Sequence, residues 1–78
     1  MKKKKQNSDL TAREMDVLKE MISGKSNKKI GKTLFITQYT VKAHLTQIYK
    51  KFGVTNRIEA AMKARDKGII PHQDSEQP

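Results

Sequence analysis

The chain has 78 residues, 35% of them hydrophobic, with two Tyr, two Phe and no Trp, which allows one small domain with an aliphatic core. The lack of cysteine excludes disulfides and thiolate metal sites, and no apolar run is long enough to span a bilayer. A formal net charge of +9 points to an anionic partner, nucleic acid or an acidic membrane surface.

Lysines at positions 2–5 open the chain, and a polar stretch follows where a secretory signal would need apolar residues. Residues 1–9 read as a flexible basic arm that adds non-specific attraction to a polyanion rather than tracking DNA itself. The first predicted helix starts at Thr11. Glu14 three residues later forms a capping box, and Leu10 with Met15 forms a hydrophobic staple across it. Met15, Leu18, Met21 and Ile22 make its apolar stripe, and Gly24 is placed to end it in a left-handed conformation.

From Met21 to Ile58 there is no acidic residue, yet Lys25, Lys28, Lys29, Lys32, Lys42, Lys50, Lys51 and Arg57 all lie there. Two helices are predicted inside that window, over 27–34 and 38–52, joined by a corner at Phe35 and Ile36. Ser26 caps the first, with Ile30 and Leu34 as its buried pair. Lys29 sits where a glutamate would complete a capping box, opposing the helix dipole, which makes sense if this helix end faces phosphate. Gly31 costs about 1 kcal/mol relative to alanine in a helix interior, and implies a close approach of the next helix. Thr37 caps that helix, Ile36 can staple to Val41, and Val41, Leu45, Ile48 and Phe52 form one buried stripe ended by Gly53. Lys42, Ala43, Thr46, Gln47 and Lys50 fall off the stripe. Two short helices joined by a tight corner, the second longer and basic, form the pattern that lays a helix in a DNA major groove.

The fourth predicted helix starts at Asn56, with Glu59 completing a second capping box, and runs to about Lys67 before Gly68 and Pro71. Ala60 and Ala64 share a face suited to close packing. Ile58, Met62, Arg65 and Ile69 share another, which exceeds what so small a core requires. This face is a candidate dimerisation stripe, the alternative being that it packs inside the monomer. Residues 71–78 read as a flexible tail. The expected fold is all-α, a compact four-helix bundle containing a helix-turn-helix at about 26–46 within a domain at 10–70, with the dimerisation helix at about 57–67.

With the helices placed, the chain resembles the LuxR/GerE-type helix-turn-helix domain. The resemblance rests on Leu-Thr-Ala-Arg-Glu at 10–14, Gly-Lys-Ser-Asn-Lys-Lys-Ile at 24–30 and Leu-Phe-Ile-Thr at 34–37, then Thr-Val-Lys-Ala-His-Leu at 40–45 and Asn-Arg-Ile-Glu-Ala-Ala at 56–61. It covers residues 10–70 without gaps, and is shared by response-regulator output domains and small stand-alone regulators. The resemblance implies a transcription regulator that binds double-stranded DNA as a homodimer, weak in isolation, with its third helix in the major groove and its fourth pairing two copies. Carried over by position, Lys42, Ala43 and Thr46 face base edges, while Asn27, Lys28, Thr40 and Lys50 face phosphates. Many members carry Glu at the position of Lys29 and Ala at that of Gly31, which implies stronger backbone contacts here. Thr46 is shorter than the Lys or Asn often found at its position.

Simpler roles are open to the same residues. Lys42 can reach a guanine edge or a phosphate, and on most helices a lysine is merely solvated. Tyr39 can donate to a phosphate or cover the corner. His44, with no second ligand at helical spacing, reads as a half-buried residue that fixes the third helix or touches phosphate, not as a metal site. No cofactor is expected, and no constellation supports catalysis. A cytoplasmic location is expected, with no membrane partner, and RNA polymerase or another regulator as a further partner. The competing functions are an anti-activator that uses the fold to bind a regulator, and a non-specific nucleic-acid or membrane-surface binder. The latter would want a continuous apolar face or exposed stacking aromatics.

Overall fold

The computed structural model describes residues 10–71, so the basic arm at 1–9 and residues 72–78 of the expected tail lie outside the described residues. Four helices follow one another: α1 (Ala12–Ile22), α2 (Asn27–Leu34), α3 (Gln38–Phe52) and α4 (Arg57–Asp66). Among the described residues there is no strand, and no helix is long and apolar enough to cross a membrane.

Local chemistry sets the helix starts. The Glu14 N–H donates to Thr11 Oγ1 and the Thr11 N–H to Glu14 Oε1, both at 3.0 Å, which completes the first capping box. Ser26 and Thr37 cap α2 and α3 through their hydroxyls, accepting from the Lys29 and Thr40 N–H groups. At α4 the expected box is altered. Asn56 Oδ1 accepts from the Glu59 N–H at 2.9 Å, but the Glu59 carboxylate reaches one residue further back, to the N–H and hydroxyl of Thr55. Gly24, at φ 95°, ends α1 in the expected left-handed turn.

The core gathers Val17, Leu18 and Met21 of α1, Ile30 of α2, the Val41, Leu45, Ile48 and Phe52 stripe of α3, and Ala60, Ala64 and Ile69. On α1 the buried arc is rotated from the expected one: Val17 is fully buried, whereas Met15 and Ile22 are only half-buried. The cause is Glu14. Its side chain is buried at the head of the arc 14-17-18-21, because Lys51 Nζ of α3 meets its Oε1 at 2.7 Å. The capping glutamate therefore also belongs to the inward face, which the apolar stripe read from the sequence did not include. Leu34, expected in the buried pair of α2, is half-buried beside the fully buried Ile30.

Of the four glycines, only Gly31, at the α2–α3 corner, has no room for a side chain. A Cβ on Gly31 would stand 2.6 Å from the Ile36 carbonyl oxygen, so the expected close approach is made by the backbone of the turn leading into α3. Phe35, the α2 C-cap, sits at φ 61°, the only non-glycine among the described residues in the left-handed region, and it is 92% exposed. Such a conformation costs a residue with a Cβ about 1–2 kcal/mol.

The expected dimerisation stripe is corrected at one position. Ile58, Met62 and Arg65 are exposed on α4, but Ile69 is a core residue, 7% exposed. The helix ends at Asp66, Gly68 turns the chain at φ 80°, and the Ile69 N–H donates back to the Ala64 carbonyl. Ile69 thus leaves the helical wheel and folds inward, while Ile70 is left exposed.

Burial pushes the Glu14 carboxyl up, but hydrogen bonds from Lys51 and the Thr11 N–H, with the charges of Lys51 and His44, outweigh it and hold the pKa below its ordinary 4.5. A lowered folded-state pKa gives stability that is present above the unfolded value and lost as pH falls through the folded one. Glu14→Gln is therefore expected to cost about 1–2 kcal/mol near neutral pH, and the cost should vanish in acid. Urea unfolding at pH 7 and pH 3 measures both. An equal cost at both pH values would mean that the Lys51 ion pair is not what Glu14 contributes.

Candidate nucleic-acid interface

The two outer helices carry every acid of the described region: Glu14, Asp16 and Glu20 on α1, Glu59 and Asp66 on α4. Each of these helices has a glutamate in its first turn, where it offsets the positive end of the helix dipole. The inner pair has none. Neither α2 nor α3 holds an acid in its first turn, so both N-terminal ends keep an uncompensated partial positive charge.

The sequence window supplied a cluster of cations, and the structure divides them. Lys51 is drawn to Glu14 and Lys25 to Glu20. Arg57 turns inward, donating from Nη1 to Asn27 Oδ1 at 3.4 Å and from Nη2 to the Lys25 carbonyl. Lys28, Lys29, Lys32, Lys42 and Lys50 are left exposed, with no ion pair among the described residues. Ser26, Lys28, Lys29 and Lys32 line a shallow depression on α2.

On α3 the buried stripe fixes what the opposite face shows. With Val41, Leu45, Ile48 and Phe52 held inward, Lys42, Ala43, Thr46, Gln47 and Lys50 are all exposed. Thr46 Oγ1 donates back to the Lys42 carbonyl at 3.0 Å, which commits its proton to the helix and leaves its lone pairs outward. Thr40 is exposed at the head of the helix, its hydroxyl 3.1 Å from that of Thr37. Lys28 is exposed at the head of α2, whereas Asn27 is half-buried against Arg57. The three residues expected at base edges and the four expected at phosphates thus lie on α2 and α3, apart from the α4 residues Ile58, Met62 and Arg65.

Tyr39 is 77% exposed and does not cover the corner. His44 is half-buried, close enough for its charge to act on Glu14. No group of three or more His, Cys, Asp or Glu that could hold a metal exists among the described residues. Sequence reasoning missed the inward turn of Arg57 and the exposure of Phe35. The first depends on a residue 30 positions away. The second had a readable signal, a bulky residue where a tight corner demands positive φ.

Residues 8–64 match the sequence profile of the bacterial regulatory proteins of the luxR family. The chain is 44% identical over 61 residues to the transcriptional regulatory protein LiaR of Bacillus subtilis, covering 78% of this chain and 29% of LiaR. It is 41% identical over 70 residues to YdfI, a transcriptional regulatory protein of the same organism, covering 90% of this chain and 33% of YdfI. Among solved structures it is similar to the response regulator ChrA of a heme-sensing two-component system, with a TM-score of 0.75 and 43% identity, covering 87% of this chain and 33% of that one. The chain spans about a third of the length of these relatives.

Proposed function

The chain belongs to the luxR family of bacterial regulatory proteins, and we propose that it is a sequence-specific DNA-binding regulator of transcription. The family is one of regulators, not of enzymes. In this reading α3 enters the major groove with Lys42, Ala43 and Thr46 toward base edges, while Asn27, Lys28, Thr40 and Lys50 meet phosphates on either side. Two copies pair through Ile58, Met62 and Arg65 of α4 and present two α3 helices to half-sites about 34–36 Å apart. The partner is double-stranded DNA, the working location is the cytoplasm, and RNA polymerase is the natural further partner of a regulator that activates.

One observation carries the reading. Every exposed, unpaired lysine on α2 and α3 lies on helices whose N-terminal turns lack acids, while the acids of the described region are confined to α1 and α4. An anti-activator using the same fold has no need for such a separation. Selection of bound sequences from random duplex DNA tests the proposal, with an enriched two-fold-related motif as the expected result. No enrichment would favour a protein-interaction module or a non-specific binder.

Lys42→Ala is expected to lower discrimination between specific and scrambled duplexes by about 1–3 kcal/mol, whereas Lys28→Ala should weaken both to a similar degree. Affinity for the specific site should also fall with salt at a log–log slope of roughly −5 to −9, for about three to five phosphate contacts per subunit. Equal losses from both variants on both duplexes would make Lys42 another phosphate ligand.

A further inference from the structure

Arg57 is the first residue of α4, yet its guanidinium reaches back to the start of α2. One nitrogen donates to the Lys25 carbonyl and the other to Asn27 Oδ1 at 3.4 Å. Both acceptors are neutral. No carboxylate pairs with Arg57 among the described residues, so its positive charge remains behind the N-terminal end of α2.

The fork also orients Asn27. Arginine carries donors only, so the atom of the carboxamide that can face it is the oxygen. The amide N–H2 is then not the atom that meets the guanidinium, and among the described residues it donates to no acceptor. Asn27 is the first residue of α2, beside the capping Ser26 and the exposed Lys28 and Lys29. Such a donor pair at an acid-free helix start suits a phosphate oxygen.

We propose that Arg57 is a positioning residue for DNA binding: from α4 it fixes the start of α2 and turns the Asn27 N–H2 outward to hold a backbone phosphate. This rests on the DNA-binding reading and adds a part to it. The helix proposed to pair two copies is thereby tied directly to a proposed phosphate contact, through residues that sit 30 positions apart in the chain.

The test is a double-mutant cycle with Arg57→Gln and Asn27→Ala, measured on the selected duplex and on a mixed-sequence duplex. Each single variant should weaken both by about tenfold per subunit. The double variant should bind no more weakly than either single one, because both changes remove the same contact. Arg57→Lys keeps the charge but loses the two-pronged geometry, and should bind as weakly as Arg57→Gln. In the free protein, the Asn27 carboxamide resonances should move in Arg57→Gln. Additive losses, full binding by Arg57→Lys, or an unmoved Asn27 signal would each overturn the proposal. Should Arg57→Gln prove unfolded by circular dichroism, Arg57→Lys takes its place in the cycle with Asn27→Ala; full binding by Arg57→Lys, or losses that add in the double variant, overturns the role. Failure of the parent reading looks different: the wild-type protein then binds neither duplex, and this role falls with it.

Discussion

Ile69→Asp is expected to unfold the domain, while Met62→Asp is expected to leave it folded and to disable it at paired sites. The two residues belong to one stripe in the sequence, but their surroundings differ. Ile69 is 7% exposed in the core and Met62 is 59% exposed on α4. An aspartate at 69 removes a buried apolar side chain and asks the core to hold a carboxylate, a loss of about 3–5 kcal/mol. A domain of this size has only about 3–9 kcal/mol in total at the usual 0.05–0.15 kcal/mol per residue. An aspartate at 62 meets water, so the melting curve should shift by no more than about 0.5 kcal/mol. Its effect should appear in binding. If α4 pairs two copies, like charges now face each other across the axis, and affinity for paired half-sites should drop on the order of 10²-fold while a single half-site is bound as before. Circular dichroism melting and binding to duplexes with one or two half-sites measure all of this. An Ile69→Asp variant as stable as the wild type would show that the chain after Gly68 does not pack inward. Unimpaired binding of Met62→Asp to paired sites would place the pairing surface elsewhere.

Gly31→Val should be nearly as damaging, through the backbone rather than the core. Any Cβ there would stand 2.6 Å from the Ile36 carbonyl oxygen and 3.3 Å from the Gln38 nitrogen. These are main-chain atoms of the corner, so nothing can rotate away, and a branched side chain forces α2 and α3 apart. Overpacking of this kind costs about 1–3 kcal/mol and occasionally more. The geometry of the corner also sets how α3 stands relative to α2, so DNA affinity should fall even under conditions where the variant remains folded. Alanine carries the same Cβ and meets the same 2.6 Å contact, so it too should destabilise the corner; about 1 kcal/mol of helix propensity gained over glycine offsets part of that cost and leaves it the milder of the two. Urea unfolding separates the cases, and a valine variant as stable as the wild type would rule out the close approach.

The parts of this fold that rest on neighbours in sequence were legible. The Thr11–Glu14 box, the Ser26 and Thr37 caps, the Gly53 stop and the 4-3-4 spacing of Val41, Leu45, Ile48 and Phe52 are all local. They reappear in the helix bounds of α2 and α3 and in the buried face of α3. Periodicity works here because a helix places residues three and four apart on one face, whatever that face later meets. The same spacing showed which residues α3 must turn outward, and so which side chains could be offered to DNA. The family resemblance ran through these residues, which is why it and the all-α fold were available without coordinates.

Long-range meetings decided the remainder. Glu14 lies inward because Lys51, 37 residues later, arrives beside it, and that pairing rotates the buried arc of α1 onto Val17. Arg57 looked like one more cation for a polyanion, but packing of α4 near the α1–α2 loop gave it the Lys25 carbonyl and the Asn27 amide as acceptors. Ile69 left its stripe because the helix stops at Asp66 and the chain turns at Gly68 before the next apolar residue. Residue order alone sets where helices begin, which face of α3 is apolar and that the middle of the chain has no acids. Packing between distant segments sorts the cations into those left exposed and those held by Glu14, Glu20 or the start of α2. A cap or a stripe is written in residues a turn apart, whereas burial and ion pairing depend on what a distant segment brings alongside.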